Sequence, residues 1–461
     1  MRSLLQLVPA TVLAAIICEI LLISSSYVVA TYLVSNVDIV VWLLYDDGWL
    51  RVSMMVLGIV IGLYLQDLYE NLRVTSQLVL FQQICLVFGV AFIFQAFLSY
   101  LGAQYVLPRR PMVLGSVFLL IALPMLRTAL SGALASAIAG DRVLFLGASP
   151  VSRQIAERIR DRPELSMVVS GFLEDPAHRE GLPEEDWLGP IESLRDIVRE
   201  KRIEHIVVGM QERRQRMPVY ELLDLGFAGV RIDEAATMFE QVFQRVCTAQ
   251  IRPSQLIFTR ELGPRPYTVQ LQSIYSWGVA FALLVISGPI MIVTAILIKL
   301  TSPGPVVYSQ VRVGKGGAPF TIHKFRSMRN DAEAKTGAVW AQKNDPRVTP
   351  LGRFLRKSRI DELPQLLNVL RGEMAFVGPR PERPEFVEML AKQIPFYPQR
   401  HVVKPGITGW AQINHKYGDT IEDTVQKLEY DLYYIKNLSL TLDFVIMFHT
   451  AKVMLLSRGA Q

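Results

Sequence analysis

Three cysteines in 461 residues, Cys18, Cys85 and Cys247, stand too far apart to suggest a zinc site, a redox pair or a disulfide framework. The phosphate-cradling G-x-x-x-x-G-K-[ST] loop and the kinase loop set are also missing, which disfavours ATP-type phosphoryl transfer. The glycine fingerprint of dinucleotide folds is incomplete. Gly147-Ala-Ser149-Pro-Val-Ser152 keeps the first glycine, but Ser149 stands where a second would let the backbone approach a pyrophosphate. Nucleotide binding there stays open, beside a scaffolding or regulatory role. The leading apolar run has one charge before it, Arg2, and no small-residue cleavage site, so it reads as a retained helix rather than a signal peptide.

Apolar sequence is abundant. Hydrophobic residues make up 51% and mean hydropathy is +0.29, yet 20% are charged, so membrane and soluble parts must coexist. Four apolar segments fill the first third, near Leu4 to Val34, Val52 to Leu65, Leu78 to Leu101 and Met112 to Ala137. A span needs about 20 apolar residues, so the second must borrow its flanks. Glu19 and Arg127 interrupt the pattern and read as a structural pair or snorkelling side chains, with a functional role left open. Trp42 and Trp49 flank the Asp46-Asp47 loop as interface aromatics do. Four crossings with the N-terminus inside return the chain to the cytoplasm, although Arg109-Arg110 would then lie outside, against the positive-inside rule.

From Arg142 the rhythm changes to alternating strands and helices. Strands are expected at Val143 to Gly147, Met167 to Leu173, His205 to Gly209 and Val230 to Ile232, with helices over Val151 to Arg160, Ile191 to Lys201 and near Tyr220. That alternation implies a parallel, Rossmann-like sheet. A Pro- and Arg-rich connector follows, and then a fifth apolar run, Trp277 to Leu300, broken at Ser287-Gly288-Pro289. Proline removes a backbone donor and kinks a helix, so the run reads either as a re-entrant hairpin or as a kinked span.

The C-terminal part is basic. From Thr301 onward there are 23 Lys and Arg against 15 Asp and Glu, an excess of eight against a net +6 for the whole chain. Such a field favours anionic partners. Lys324-Phe-Arg326 puts two cations on one strand face, although alone it reads as a solvated basic edge. Arg353, Arg356 and Arg359 recur at a spacing of three toward the pair Asp361-Glu362, and Pro364 suits the first turn of a new helix. Alone, the acidic pair is no more than a cap. It is followed by Gly378-Pro379-Arg380-Pro381, whose prolines pre-aim a guanidinium at phosphate, and by Arg400 and Lys404-Pro-Gly. Cations, one carboxylate pair and rigid turns make a plausible diphosphate pocket, in which a carboxylate can attack phosphorus and magnesium can neutralise developing charge. Nucleic-acid binding would also use the charge, but basic residues beside an apolar hairpin favour an anionic membrane substrate.

From about Trp277 to the end the chain resembles the polyprenyl-phosphate hexose-1-phosphate transferases of the bacterial sugar transferase family. The matching elements are the Ser-Gly-Pro hairpin, Lys324-Phe-Arg326-Ser-Met, Asp361-Glu362-Leu-Pro-Gln-Leu, Val377-Gly-Pro-Arg-Pro-Glu382, Lys404-Pro-Gly-Ile-Thr-Gly-Trp410-Ala-Gln, Tyr430-Asp-Leu-Tyr-Tyr-Ile-Lys-Asn437 and the ending Gly459-Ala460. The whole chain is similar to the larger members that start exopolysaccharide repeat units. One departure is His415-Lys416, where many members have Gly-Arg, which puts sugar or nucleotide contacts near Asn414 in doubt.

The resemblance implies a membrane α-helical bundle (1–140), a Rossmann-like α/β domain (141–250), a connector (251–276) and a mixed α/β monotopic catalytic domain (277–461) with a re-entrant membrane hairpin at 277–300. It implies Asp361 as nucleophile on the β-phosphate of a UDP-sugar, with release of UMP and transfer to undecaprenyl phosphate. Glu362 would orient Asp361 or assist Mg²⁺, both carboxylates being the implied metal ligands. Arg380 would bind phosphate, and Lys324, Arg326, Arg356, Arg400 and Lys404 would shape the anionic pocket. The implied partners are UDP-sugar, undecaprenyl phosphate and membrane lipid, without nucleic acid; homodimerisation is left open. The implied location is the bacterial inner membrane, with catalysis on the cytoplasmic face. Glucose is the expected sugar, with galactose or an N-acetylhexosamine as alternatives. An inert assembly scaffold and a transporter are the competing classes. Leu440 to Leu456 reads as a membrane-surface helix, against ordinary core burial.

Overall fold

The structure, a computed structural model, describes residues 10–35, 38–66, 68–69, 77–137, 141–162, 165, 167–179, 181–210, 216–248, 264, 266–329, 345–415 and 420–455. Residues 251–263 of the expected connector, Lys416 and the Gly459-Ala460 ending lie outside these residues. The chain falls into two compact units, Met1–Met238 and Phe239–Gln461.

The first unit opens with helices α1 (Ala10–Ser35), α2 (Ile39–Tyr45), α3 (Gly48–Leu65), α4 (Gln77–Leu101) and α5 (Arg109–Ala137). Ile23, Tyr27, Met55, Ile59, Ile84 and Leu119 form the centre of their shared core. Four stretches are long and apolar enough to cross a membrane: Val12–Ser35, Gly48–Leu65, Leu80–Leu101 and Ala103–Leu130. The 18 residues of α3 give a length of about 27 Å, just under the ~30 Å hydrocarbon layer. The charges inside the bundle pair with each other. Arg127 Nη2 lies 2.7 Å from Glu19 Oε1, Tyr69 donates to Glu19 Oε2 at 2.7 Å, and Arg127 Nη1 donates to the Leu68 carbonyl at 2.8 Å. Trp42 corrects the expectation of two interface aromatics: it is buried in the bundle core, and only Trp49 is exposed.

The α/β part then runs β1 (Asp141–Leu146), α6 (Pro150–Asp161), β2 (Met167–Leu173), β3 (Trp187–Gly189), α7 (Leu194–Lys201), β4 (His205–Val208), α8 (Val219–Phe227) and β5 (Arg231–Glu234). Its five strands lie in the order β3-β2-β1-β4-β5 and every pairing is parallel. Residues 143–146 of β1 and 206–208 of β4 are continuous apolar runs because both faces of a parallel sheet are covered. A helix α9 (Ala235–Phe243) leads into the second unit.

The second unit is built on α10 (Pro266–Thr301), a single helix that starts eleven residues before Trp277 and keeps Pro289 inside it. Its amphipathicity is inverted. Small or polar residues, Thr268, Gln272, Ser276, Ala280, Ser287 and Thr294, are buried on one stripe, while Trp277, Phe281, Ile286, Ile290, Val293 and Leu300 are exposed. The stripe packs on the same body along both halves of the helix. Ala280 and Leu284 meet Ile322, Leu366 and Met374, and Met291, Ala295 and Ile298 meet Phe325 and Leu355. The body holds an antiparallel hairpin, β6 (Val307–Val313) with β7 (Pro319–Phe325), and a parallel pair, β8 (Ala375–Val377) with β9 (Gly406–Thr408). Helices α11 (Pro350–Lys357), α12 (Gln365–Leu370), α13 (Pro384–Gln393), α14 (Trp410–Asn414), α15 (Ile421–Lys436) and α16 (Leu440–Leu455) complete it.

Candidate active site

The acidic pair sits on a tight turn between two helices. α11 stops at Lys357, Arg359 takes a left-handed conformation (φ 54°), and Ile360–Glu362 forms a 3-10 turn before Pro364 opens α12. Positive φ is costly for a residue with a Cβ, so this reversal is held by its surroundings. Ile360 and Leu363 supply that hold by packing with Phe325, Leu355 and Ile298. The turn therefore presents Asp361 and Glu362 inward, 8% and 9% exposed.

The two carboxylates have different environments. Glu362 Oε1 lies 3.0 Å from Lys324 Nζ and 3.3 Å from Arg380 Nη2, and its Oε2 lies 3.5 Å from Arg359 Nη1. Burial works to raise its pKa, but Lys324, Arg380 and Arg359 outweigh burial and hold Glu362 below the usual carboxylate range. Asp361 has no hydrogen bond or ion pair among the described residues. Burial, and then the Glu362 charge, push it up to about 6 from an ordinary 3.8, against the pull of Lys324, Arg356 and Arg380. The site thus pairs a fixed anion with an uncommitted, more basic carboxylate.

The cations arrive from separate elements. Lys324 is on β7, where burial pushes its ammonium down in spite of Glu362. Arg356 is in the last turn of α11 and donates from Nε to Ser327 Oγ at 2.9 Å. Arg380 follows β8 on a turn held from three sides. Gly378 N–H donates to the Thr408 carbonyl (2.8 Å), Gly406 N–H to the Pro379 carbonyl (3.0 Å), and Arg400 Nη2 to the Arg380 carbonyl (3.0 Å).

Three expected pocket residues stand elsewhere. Arg326 does not share the face of Lys324, because β7 ends at Phe325; its guanidinium donates to the carbonyls of Pro303 (2.7 Å) and Ser302 (2.8 Å), closing the exit of α10. Arg400 is buried against Asp431 at 2.8 Å and Tyr397 Oη at 2.8 Å, so it holds the Arg380 turn rather than facing the dyad. Lys404 feels burial and the Lys315 charge, which lower its pKa, and no acid of the dyad. Arg353 is exposed at the surface of α11.

Sequence reasoning missed a buried network behind the site. Gln272 Nε2 of α10 donates to the Val377 carbonyl (3.2 Å) and to Asp443 Oδ2 (2.9 Å). Tyr434 Oη lies 2.8 Å from Asp443 Oδ1 and 3.2 Å from the Val377 carbonyl, and Tyr275 also donates to Asp443. Phe376 N–H donates to Ser276 Oγ at 3.2 Å. Side chains of α10 and α15, tied together by Asp443 of α16, thereby satisfy the free edge of β8, the strand that leads into Arg380. Its signal in the sequence was Asp443, a lone acid early in an apolar helix.

Comparison with known proteins gives the following. The family described as bacterial sugar transferase matches residues 267–457, and one described as CoA-binding domain matches residues 64–219. The UDP-N-acetylgalactosamine-undecaprenyl-phosphate N-acetylgalactosaminephosphotransferase of Aeromonas hydrophila is 53% identical over 174 residues, 38% of this chain and 41% of that protein. The UDP-glucose:undecaprenyl-phosphate glucose-1-phosphate transferase of Escherichia coli K12 is 35% identical over 320 residues, 68% of this chain and 66% of that protein. The protein of the same name from Xanthomonas campestris pv. campestris is 34% identical over 349 residues, 73% of this chain and 71% of that protein. The chain thus spans less than two thirds of the length of the Aeromonas and E. coli proteins.

Proposed function

Because this chain belongs to the bacterial sugar transferase family, we propose that it transfers a sugar-1-phosphate from a UDP-sugar to undecaprenyl phosphate at a membrane surface. The observation that carries the reading is the asymmetry of the dyad: Glu362 is bound by three cations, while the Asp361 carboxylate has no partner among the described residues.

In this reading an Asp361 oxygen attacks the β-phosphorus of the UDP-sugar. The bond from that phosphorus to the oxygen bridging the α-phosphate breaks, UMP leaves with the electron pair, and the sugar phosphate stays on Asp361 as an acyl phosphate. An oxygen of undecaprenyl phosphate then attacks the same phosphorus, the acyl phosphate bond breaks, and the Asp361 carboxylate returns. Glu362 holds Lys324, Arg359 and Arg380 in place for the diphosphate, whose charge they stabilise as it builds up in transfer. The donor set suits magnesium bound through one carboxylate: Asp361 is uncommitted and Glu362 is largely taken. When bound there with substrate phosphates, Mg²⁺ would supply neutralisation of the developing charge.

The inverted face of α10 supports a helix that enters and leaves one leaflet, since both of its halves pack on the same body and its large apolar residues face away. Pro289 cannot donate to the Val285 carbonyl, which favours a bend in mid-helix. The proposed nucleotide-sugar donor supports a catalytic unit on the cytoplasmic face. For the sugar, two readings stand. The glucose relatives share more of the chain, while the N-acetylgalactosamine relative shares higher identity over a shorter stretch, and that identity favours UDP-N-acetylgalactosamine as the second reading.

Purified protein with Mg²⁺, undecaprenyl phosphate and either UDP-sugar is expected to release UMP. Asp361→Asn is expected to abolish release and to prevent acid-stable capture of labelled phosphate on the protein. Turnover in this variant at the unsubstituted rate would sink the nucleophile assignment.

A further inference from the structure

The match to a CoA-binding domain implies a nucleotide in the α/β part of the first unit. In an open parallel sheet such a ligand lies in the crevice beyond the strand C-termini at the point where strand order reverses, with its diphosphate against the first strand-to-helix turn. Here that point lies between β1 and β4. The described residues that border it do not fit the ligand.

Three features fill the place. First, the turns after β1 and β4 touch. Gly147 has φ +103°, and a Cβ built on it would lie 2.6 Å from the Met210 nitrogen, so no gap separates the strand ends. Second, Ser149 replaces the missing glycine, and its hydroxyl is used within the turn. Ser149 Oγ accepts from Ser152 N–H at 3.2 Å and lies 2.9 Å from Ser152 Oγ, both serines being buried. Third, one backbone donor of the turn is already occupied. Ala148 N–H donates to Glu174 Oε2 at 2.8 Å, and Glu174, at the end of β2, is 6% exposed. Arg216 fixes that carboxylate from the other side, with Nη2 3.0 Å from Glu174 Oε1 and Nε donating to Asp175 Oδ2 at 2.9 Å. Among the described residues at this crevice, two carboxylates face one guanidinium, short of the positive charge a diphosphate needs.

We infer that Glu174 is the built-in occupant of the phosphate position, so that this α/β unit works closed by its own carboxylate and without a bound nucleotide. Glu174, Asp175 and His178 also lie close enough together to suggest a cation site, but Arg216 already pairs with both acids. The inference is independent of the transferase reading, since every residue in it belongs to the first unit.

The test is hydrogen–deuterium exchange of the full-length protein in detergent, read on the peptide covering Gly147 to Arg153, with and without CoA. About 1 mM CoA suffices, being tenfold over a site of ~100 µM affinity. Unsubstituted protein should show no CoA-dependent protection of this peptide. Glu174→Ala should exchange faster there at rest, because Ala148 N–H loses its acceptor, and should then gain protection from CoA. Protection of the unsubstituted protein overturns the inference. So does a folded Glu174→Ala that CoA leaves unprotected, since the carboxylate would then not be what closes the site. Should Glu174→Ala fail to fold, Glu174→Ser keeps a polar side chain, removes the carboxylate, is too short to take its place and is read the same way. Because the readout is local, CoA held by the second unit does not enter it.

Discussion

The division of labour in the dyad makes a prediction with opposite signs for two substitutions. In the proposed mechanism Asp361 must be ionised to attack, so the acid limb of the pH–rate profile follows its titration. With burial and Glu362 pushing it up to about 6, activity at pH 5 should fall to roughly one tenth of the plateau. Glu362→Gln removes the neighbouring anion and leaves Lys324, Arg356 and Arg380 to favour ionised Asp361, so the limb moves to lower pH. Lys324→Met removes a cation 3.0 Å from Glu362 that also pulls Asp361 down, so the limb moves to higher pH. Two unit charges about 5–6 Å apart at an effective dielectric near 20 interact by about 3 kcal/mol, or about two pKa units. Rearrangement of the remaining charges should leave about one unit. The assay is UMP release from pH 5 to 8 at saturating undecaprenyl phosphate, each variant normalised to its own plateau. Limbs that move in the same direction, or that both stay in place, would refute the reasoning.

Arg400→Met should leave Asp431 buried without its cation, costing about 3–5 kcal/mol, or a Tm loss of roughly 10 °C by thermal melting for a unit of this size. It should also release the Arg380 carbonyl and slow UMP release. Tyr434→Phe removes the hydroxyl between Asp443 and Val377, costing about 1–3 kcal/mol, and should lower the rate several-fold by loosening the strand that leads to Arg380. A Tm loss with an unchanged rate would show that this hydroxyl does not position Arg380.

The parts of this architecture written in local periodicity were legible. The alternation after Arg142 gave strands and helices close to the observed β1, α6 and β2, and Pro364 marked the helix that follows the acidic turn. What failed depended on partners distant in sequence. Lys324 and Arg326 look equivalent by strand alternation. The strand stops between them, and Arg326 turns to carbonyls at the end of α10. Arg400 reads as one more pocket cation until Asp431, 31 positions later, folds against it. Glu362 had no definite role in the sequence because its three cations come from the left-handed turn at Arg359, from β7 and from the turn after β8. Composition locates Trp42 near a membrane boundary without fixing its direction, and its ring turns into the bundle core.

The inverted stripe of α10 bears on how the second unit assembles. A helix placed in lipid by itself would expose Gln272, Ser276, Ser287 and Thr294 to hydrocarbon, where polar side chains find no water. The body relieves that exposure by docking, and Gln272 and Ser276 gain the Val377 carbonyl and the Phe376 amide only when β8 is in place. In the proposed leaflet-inserted arrangement, attachment is driven from the polar side of the helix, while the greasy side stays with the lipid. Loss of order in the body would return those polar groups to the lipid, so the membrane itself works against partial unfolding of the strand that leads to Arg380.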